Sequence, residues 1–423
     1  MTTANWTRLL GGIGRGLSSR NFRIYWYGNL AFVLGYWMQR LAAGWLAWKL
    51  TESATWLGII GAAALIPLLV LGPLTGAVAD RIGYRVTVIG AMTVGALNPI
   101  ILGVLTLAGL VNIHILLIAA TVQGIVMGFD FPARMALIPN LVERPNLAAA
   151  IALNSTTYHA GSFVGPAIGG FVVTTLGIPA AFILNGITTL IMMFAIIGIR
   201  VEIPKPAGRK PTGIGGDILA GMRYAAGHAD IRILLMLAGV VGLALRPYVD
   251  LLPGFTAEVF HEGAGGLSIL MSVSGSGALI GAVALSMRGR TIGMTRIYVL
   301  NVFLSGAAMV LFAATPYFWL GAACLFVVVM SLAGAGIGVQ SLIQNTVEPT
   351  MRARVISLTV SVGVGGPALG SLALGRLAEH FGFQIPIGGA AVVVLIAIAL
   401  TARTLLKRKD IIEADPQTAP VAN

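Results

Sequence analysis

Two arginines, Arg40 and Arg246, lie deep inside apolar runs of the chain, where a charged group costs on the order of 3 kcal/mol or more and needs a partner or a wet cavity. At about 1.5 Å of rise per residue, Arg40 falls ~27 Å into the first run and Arg246 ~22 Å into the seventh. The chemistry open to two such cations is to hold an anion between them. Asp250 follows Arg246 by four residues and, on a continuous helix, shares its face. It would then neutralise Arg246 internally and leave Arg40 to a carbonyl or another acid, so the substrate and pairing readings both stand. Asp250 is also the candidate for a titrating group, because a substrate competing for Arg246 would release the carboxylate to take up a proton. Gln39, Gln340, Asn154 and Gln344 are candidate polar liners, and Tyr36 and Tyr248 offer aromatic surface. Pro247 frees a nearby backbone carbonyl, as in cavity-lining helices.

A second constellation is the clasp Gly76-Ala-Val-Ala-Asp80-Arg81-Ile-Gly83-Tyr84-Arg85, a polar turn between two long apolar runs. Gly76 and Gly83 allow close approach and unusual dihedrals, and Asp80 is placed to face a helix N-terminus or the two arginines. Asp130 and Arg134 share a helical face around Pro132, which fits a local ion pair better than substrate contact. Gly161, Gly165, Pro166, Gly169 and Gly170 form a row of small residues that lets two helices pack closely, with Pro166 as a bend. His159 beside Tyr158 fits a hydrogen-bonded packing residue.

These groups need long apolar helices to carry them. Hydrophobic residues make up 57% of the chain and charged residues 10%, which marks a polytopic membrane protein of the all-α class. Twelve spans are expected near 22–48, 55–77, 86–109, 113–135, 147–174, 178–199, 231–252, 265–287, 295–314, 317–341, 355–377 and 383–404. Of the 27 lysines and arginines, all but Arg40, Lys49, Arg246 and Arg376 fall at the termini or in alternate loops. The positive-inside rule makes those regions, and both termini, cytoplasmic. The +12 charge therefore speaks of membrane topology rather than of nucleic acid. The one cysteine, Cys324, excludes a disulfide framework. No cleavable signal is apparent, and Trp6, Leu9, Leu10, Ile13 and Leu17 suggest an interfacial lead-in.

The halves repeat. Gly76-Ala-x-Ala79 returns as Gly281-Ala-x-Ala284, Asn140-x-Val142-Glu143 as Asn345-x-Val347-Glu348, and Gly165-Pro-Ala-Ile-Gly169 as Gly366-Pro367-Ala-Leu-Gly370. The offsets of 205, 205 and 201 match the 206 that separates Arg40 from Arg246. Two parallel six-helix bundles are expected, at 1–199 and 231–405, joined by a cytoplasmic linker at 200–230 and followed by a polar, disordered tail at 406–423. In transporters built from such repeats the substrate site lies at the repeat interface.

With these motifs in hand, the chain resembles the major facilitator superfamily over nearly all its length. That resemblance implies that Asp80 contacts the N-terminal end of the eleventh helix and that the basic residues of the clasp latch the cytoplasmic side. Tyr84 replaces the first of two usual basic residues, so Arg85 carries that contact alone, and Leu285 and Ser286 replace Asp and Arg in the second half. The helix-five glycines are similar to a motif of proton-linked exporters, with Ala152 in place of its first glycine. Gly35 to Trp45, Asp130-Phe-Pro132-Ala-Arg134 and Arg246-Pro-Tyr-Val-Asp250-Leu-Leu-Pro253 look most like the exporter branch containing siderophore and macrolide efflux proteins. Ala120 stands where many proton antiporters carry an arginine, so proton coupling is not simply inherited. The arginine pair is similar to that of organophosphate exchangers in the same superfamily.

Other classes fit less well. No Gly-Lys-Ser/Thr phosphate loop supports a primary pump, and the scattered acids and histidines do not form an enzyme site or a metal site. Gly275-x-Gly277 and Gly334-x-Gly336-x-Gly338 lie within spans, where packing explains them. The expectation is a monomeric secondary transporter without cofactor. Its partners are a small amphipathic or anionic molecule, membrane lipids and, as a coupled ion, protons. It would work by alternating access in the cytoplasmic membrane, as a proton-linked exporter. The alternatives are a proton-independent organic-anion exchanger or importer, or a lipid flippase on the same fold.

Overall fold

The computed structural model describes residues 17–199, 214–288, 292–348 and 350–413. Most of the expected interfacial lead-in, the first part of the linker and the end of the tail lie outside the described residues.

The described chain is helical throughout. Its elements are α1 (Arg20–Thr51), α2 (Ala54–Ile82), α3 (Tyr84–Leu107), α4 (Ile113–Leu137), α5 (Leu147–Thr175) and α6 (Ile178–Gly198). Within the expected linker lies α7 (Ile214–Gly227), and after it come α8 (Ala229–Ala244), α9 (Tyr248–Glu258), α10 (Ala264–Arg288), α11 (Met294–Ala314), α12 (Phe318–Thr346), α13 (Arg352–Phe381), α14 (Gln384–Lys407) and the short α15 (Lys409–Ile412). The boundaries follow local chemistry. Asn112 caps α4 by accepting from the Ile115 amide at 2.9 Å. Gly83 starts α3 at φ 94°, with nothing within 4 Å of where a Cβ would sit, so the backbone angle alone calls for glycine there.

Among the described residues, nine helices are long and apolar enough to cross a membrane. The count is ten if the pair Leu219–Gly227 and Ala229–Glu258, bent by 113°, is taken as one span. This makes the protein multi-pass, with nine or ten of its described helices apolar enough to span. α1 and α5 are missing from the apolar set despite 32 and 29 residues, because α1 carries Gln39 and Arg40 near its middle and α5 carries the run Asn154 to His159. The expected seventh span, 231–252, is not one helix. α8 ends at Ala244, and Leu245, Arg246 and Pro247 form a turn before α9. Pro247 has no amide to donate and its ring opposes continued helix, which accounts for the break.

The chain divides into two compact units. Unit 1 comprises Met1–Glu52, Ile66–Arg209 and Gly263–Ser272, and unit 2 comprises Ser53–Leu65, Lys210–Glu262 and Val273–Asn423. In unit 1, α1 packs against α5 and α6, and α3 against α4 and α6. In unit 2, α8 packs against α13 and α14, and α11 against α12 and α14. The scheme is the same once α1 is matched to α8, so the sequence repeat is a repeat of packing. The beginning of α2 belongs with unit 2 because Glu379 of α13 accepts from the Thr55 amide at 3.0 Å and the Ser53 hydroxyl at 2.9 Å. The beginning of α10 belongs with unit 1, where Ser268 donates to the Pro166 carbonyl at 2.8 Å.

Candidate functional site

The small-residue rows set the spacing on which the polar groups depend. In unit 1, a Cβ at Gly161 would come within 2.3 Å of Val33 Cγ1, at Gly165 within 2.6 Å of Trp37 Cβ, and at Gly169 within 3.0 Å of Met38 Cα. α5 therefore lies directly on α1, with glycine every fourth residue along the contact. In unit 2 the matching row meets α8. A Cβ at Gly370 would lie 2.0 Å from the Leu243 carbonyl oxygen, one at Gly366 would lie 3.2 Å from the Leu243 amide, and Pro367 Cδ is 3.6 Å from a Cβ position at Gly242. Gly170 is different in kind, because a Cβ there would meet Ser268 at 2.2 Å.

That close approach ends at the helix break, which presents Arg246 to a cavity of ≈ 200 Å³ within unit 2. Gln340 of α12 and Tyr298 of α11 also line it, with Val241, Val302 and Val360 among its apolar walls. A Cβ at Gly336 would touch Arg246 Nη2 at 3.5 Å, so the guanidinium lies along α12 one turn before Gln340. Arg246 and Gln340, both expected in the site, share this cavity. Tyr248 is buried at the start of α9.

Asp250 sits in the first turn of α9. Its Oδ2 accepts from the Ser371 hydroxyl of α13 at 2.7 Å, and a Cβ at Gly61 would come within 2.6 Å of the same oxygen. Ser371 follows Gly370, and at the 201-residue offset it corresponds to Gly170. That offset was the one sequence signal that could have singled it out.

In unit 1, the Arg40 guanidinium lies 5.6 Å from the Trp37 ring centroid, a cation–π distance. Tyr36 packs edge-on against Trp37 at 5.7 Å, and Tyr158 meets Trp37 from α5 at 5.8 Å. Gln39 is buried and its side-chain oxygen accepts from Asn185 of α6. Near the other end of α1, Arg134 forms a 3.0 Å ion pair with Asp130, donates to Asn29 Oδ1 at 2.7 Å and covers the Phe32 ring at 4.5 Å. Asn29 and Tyr25 both donate to Asn154 of α5, at 3.2 Å and 3.3 Å. The pair is thus one part of a buried network joining α1, α4 and α5, and sequence pattern did not reveal its Asn29 and Tyr25 members. At the clasp, Arg85 donates to the Ile197 carbonyl of α6 at 2.6 Å and Arg81 is exposed. The Gly76 and Asp80 side-chain positions lie outside the described residues.

Among the described residues no group of three His, Cys, Asp or Glu is placed to hold a metal ion. The family model for transmembrane secretion effectors matches residues 15–421. The chain belongs to that family, within the major facilitator superfamily. It is 26% identical over 378 residues to the staphyloferrin A transporter of Staphylococcus aureus, covering 85% of this chain and 90% of the relative. It is also 26% identical over 339 residues to the enterobactin exporter of Escherichia coli O1:K1, covering 78% and 77%. In fold it is similar to the crystal structure of a nucleoside transporter, at TM-score 0.72 and 14% identity, covering 92% of this chain and 99% of that one. As a secretion effector of this superfamily the protein is a membrane transporter of small molecules and not an enzyme, and it falls in the siderophore and efflux-type branch.

Proposed function

We propose that this secretion effector exports an amphipathic, anionic small molecule across the cytoplasmic membrane by alternating access, in exchange for protons. The observation that carries the reading is Arg246, placed by a proline break on the wall of a cavity that it shares with Gln340. A guanidinium on a cavity wall offers an anion a charged donor, and helix interruptions in transporters commonly mark substrate sites. Arg40 is the equivalent cation of the first half, and Tyr36, Gln39 and Tyr248 support the two. The names of the relatives, a staphyloferrin A transporter and an enterobactin exporter, favour a secreted iron chelator or a molecule of like chemistry.

Asp250 is the proposed proton carrier, held by Ser371 until substrate or proton changes its partners. The topology is twelve passes in two six-helix halves, 1–199 and 231–405, with α8 and α9 as one broken pass and both termini cytoplasmic, in a monomer. The charge distribution along the sequence supports that orientation. The clasp Gly76, Asp80, Arg81, Gly83 and Arg85, with Asp130 and Arg134, serves gating.

Flux in reconstituted vesicles under an imposed pH gradient tests the reading. Wild-type protein should accumulate an anionic substrate against its gradient, and Asp250→Asn should carry out only exchange insensitive to pH. If Asp250→Asn retains full gradient-driven transport, Asp250 is not the coupling group. If the wild type ignores the pH gradient, the protein is an anion exchanger or importer instead.

A further inference from the structure

We propose that the unit 2 cavity is a subsite for a carboxylate on a compact apolar body, and that Tyr298 is the residue that selects it. The proposal rests on reading Arg246 as the anion-handling cation. Tyr298 lines the cavity and is only 1% exposed, yet its hydroxyl has no hydrogen-bond partner among the described residues. A buried polar group without a partner costs roughly 1–3 kcal/mol, so a tyrosine here in place of phenylalanine implies an acceptor that arrives from elsewhere.

The neighbouring groups define that acceptor. α12 brings Tyr298 and Arg246 to the same stretch of helix: a Cβ at Gly338 would lie 3.5 Å from Tyr298 Cβ, and one at Gly336 would lie 3.5 Å from Arg246 Nη2. The phenol and the guanidinium both donate, and Gln340 adds an amide. Arg246 is the one charged residue among the described lining, so the cavity favours an anion over a cation. Two donors lining one cavity suit the paired oxygens of a carboxylate. Val302, Leu332 and Val360 supply apolar wall for an aryl or alkyl body. A volume of ≈ 200 Å³ takes a single ring with its acidic group, so a larger cargo would seat one acidic arm here.

Calorimetric titration of the purified full-length protein with benzoate, and with its uncharged methyl ester, tests the subsite. Wild-type protein should bind benzoate saturably and the ester more weakly. Tyr298→Phe should weaken benzoate about tenfold, as expected for a lost hydrogen bond to a charged group, while its unliganded melting temperature stays unchanged or rises. Val302→Trp should abolish binding by filling the cavity, and Ala335→Phe fills it from α12 should the first variant express poorly. Absence of benzoate binding by the wild type overturns the subsite, and so does equal binding by wild type and Tyr298→Phe. In the second case, loss of binding in Arg246→Ala leaves the anion-handling reading in place, whereas unchanged binding in Arg246→Ala removes both.

Discussion

The hydroxyl of Ser371 donates to Asp250 Oδ2 over 2.7 Å, tying the segment after the helix break to α13. Gly61 lies so close that a Cβ there would stand 2.6 Å from the same oxygen. Gly61→Ala should displace the carboxylate and lower the melting temperature, and Ser371→Ala should cost about 1.5–3 kcal/mol as a hydrogen bond to a charged group. Gly72→Ala is the control, since nothing lies within 4 Å of its Cβ position. Thermal unfolding of the three variants in detergent checks the order, and equal melting temperatures would remove the steric argument.

The contact of α8 with α13 makes a sharper prediction. Gly370→Ala would drive a methyl to 2.0 Å from the Leu243 carbonyl oxygen and 2.5 Å from Pro247 Cγ, and backbone cannot yield as a side-chain tip can. Overpacking of this kind costs about 1–3 kcal/mol or more. Gly363→Ala and Gly389→Ala, on open positions, should be near neutral. Folded yield and melting temperature read the difference.

Asp130 and Arg134 are both buried and form a 3.0 Å ion pair. Removing one partner strands the other charge, at about 3–5 kcal/mol, whereas removing both leaves no stranded charge. Asp130→Asn with Arg134→Gln should therefore be less destabilising than the sum of the single changes. A double-mutant cycle measures this, and strict additivity would mean that the pair is not coupled.

Glu413 gives a pH dependence outside the membrane-spanning helices. Burial acts to raise its carboxyl, but the backbone amides of Gly293 and Thr295 outweigh it and hold the group below its ordinary 4.5. A depressed carboxylate stabilises the fold above its unfolded value, and that contribution is lost as pH falls through the folded value. The attachment of the chain end to the start of α11 should thus weaken below about pH 4.5, and Glu413→Gln should flatten that part of the stability profile. Hydrogen exchange at the first turn of α11 follows it locally.

Much of this architecture was legible in the sequence. The recurrence of Gly165-Pro166 as Gly366-Pro367 became the same helix contact in each unit, because missing side chains constrain packing wherever they occur. Pro247 signalled an irregularity, and the helix does break there, between Ala244 and Tyr248. Tyr298 and Asn185 gave no signal. A lone polar residue in an apolar run has no periodicity to betray it, and its importance depends on which helix lies opposite. α1 and α5 show the converse limit, since the polar groups that make them interesting also carry them below the apolarity of a simple span.

Flux of a matched pair of organic ions, one anionic and one cationic on the same apolar frame, through vesicles holding wild-type or Arg246→Ala protein tests the central claim most directly. The account predicts that the wild type moves the anion preferentially and that Arg246→Ala abolishes that preference while the protein remains folded. Preferential movement of the cation, unchanged in Arg246→Ala, would contradict it.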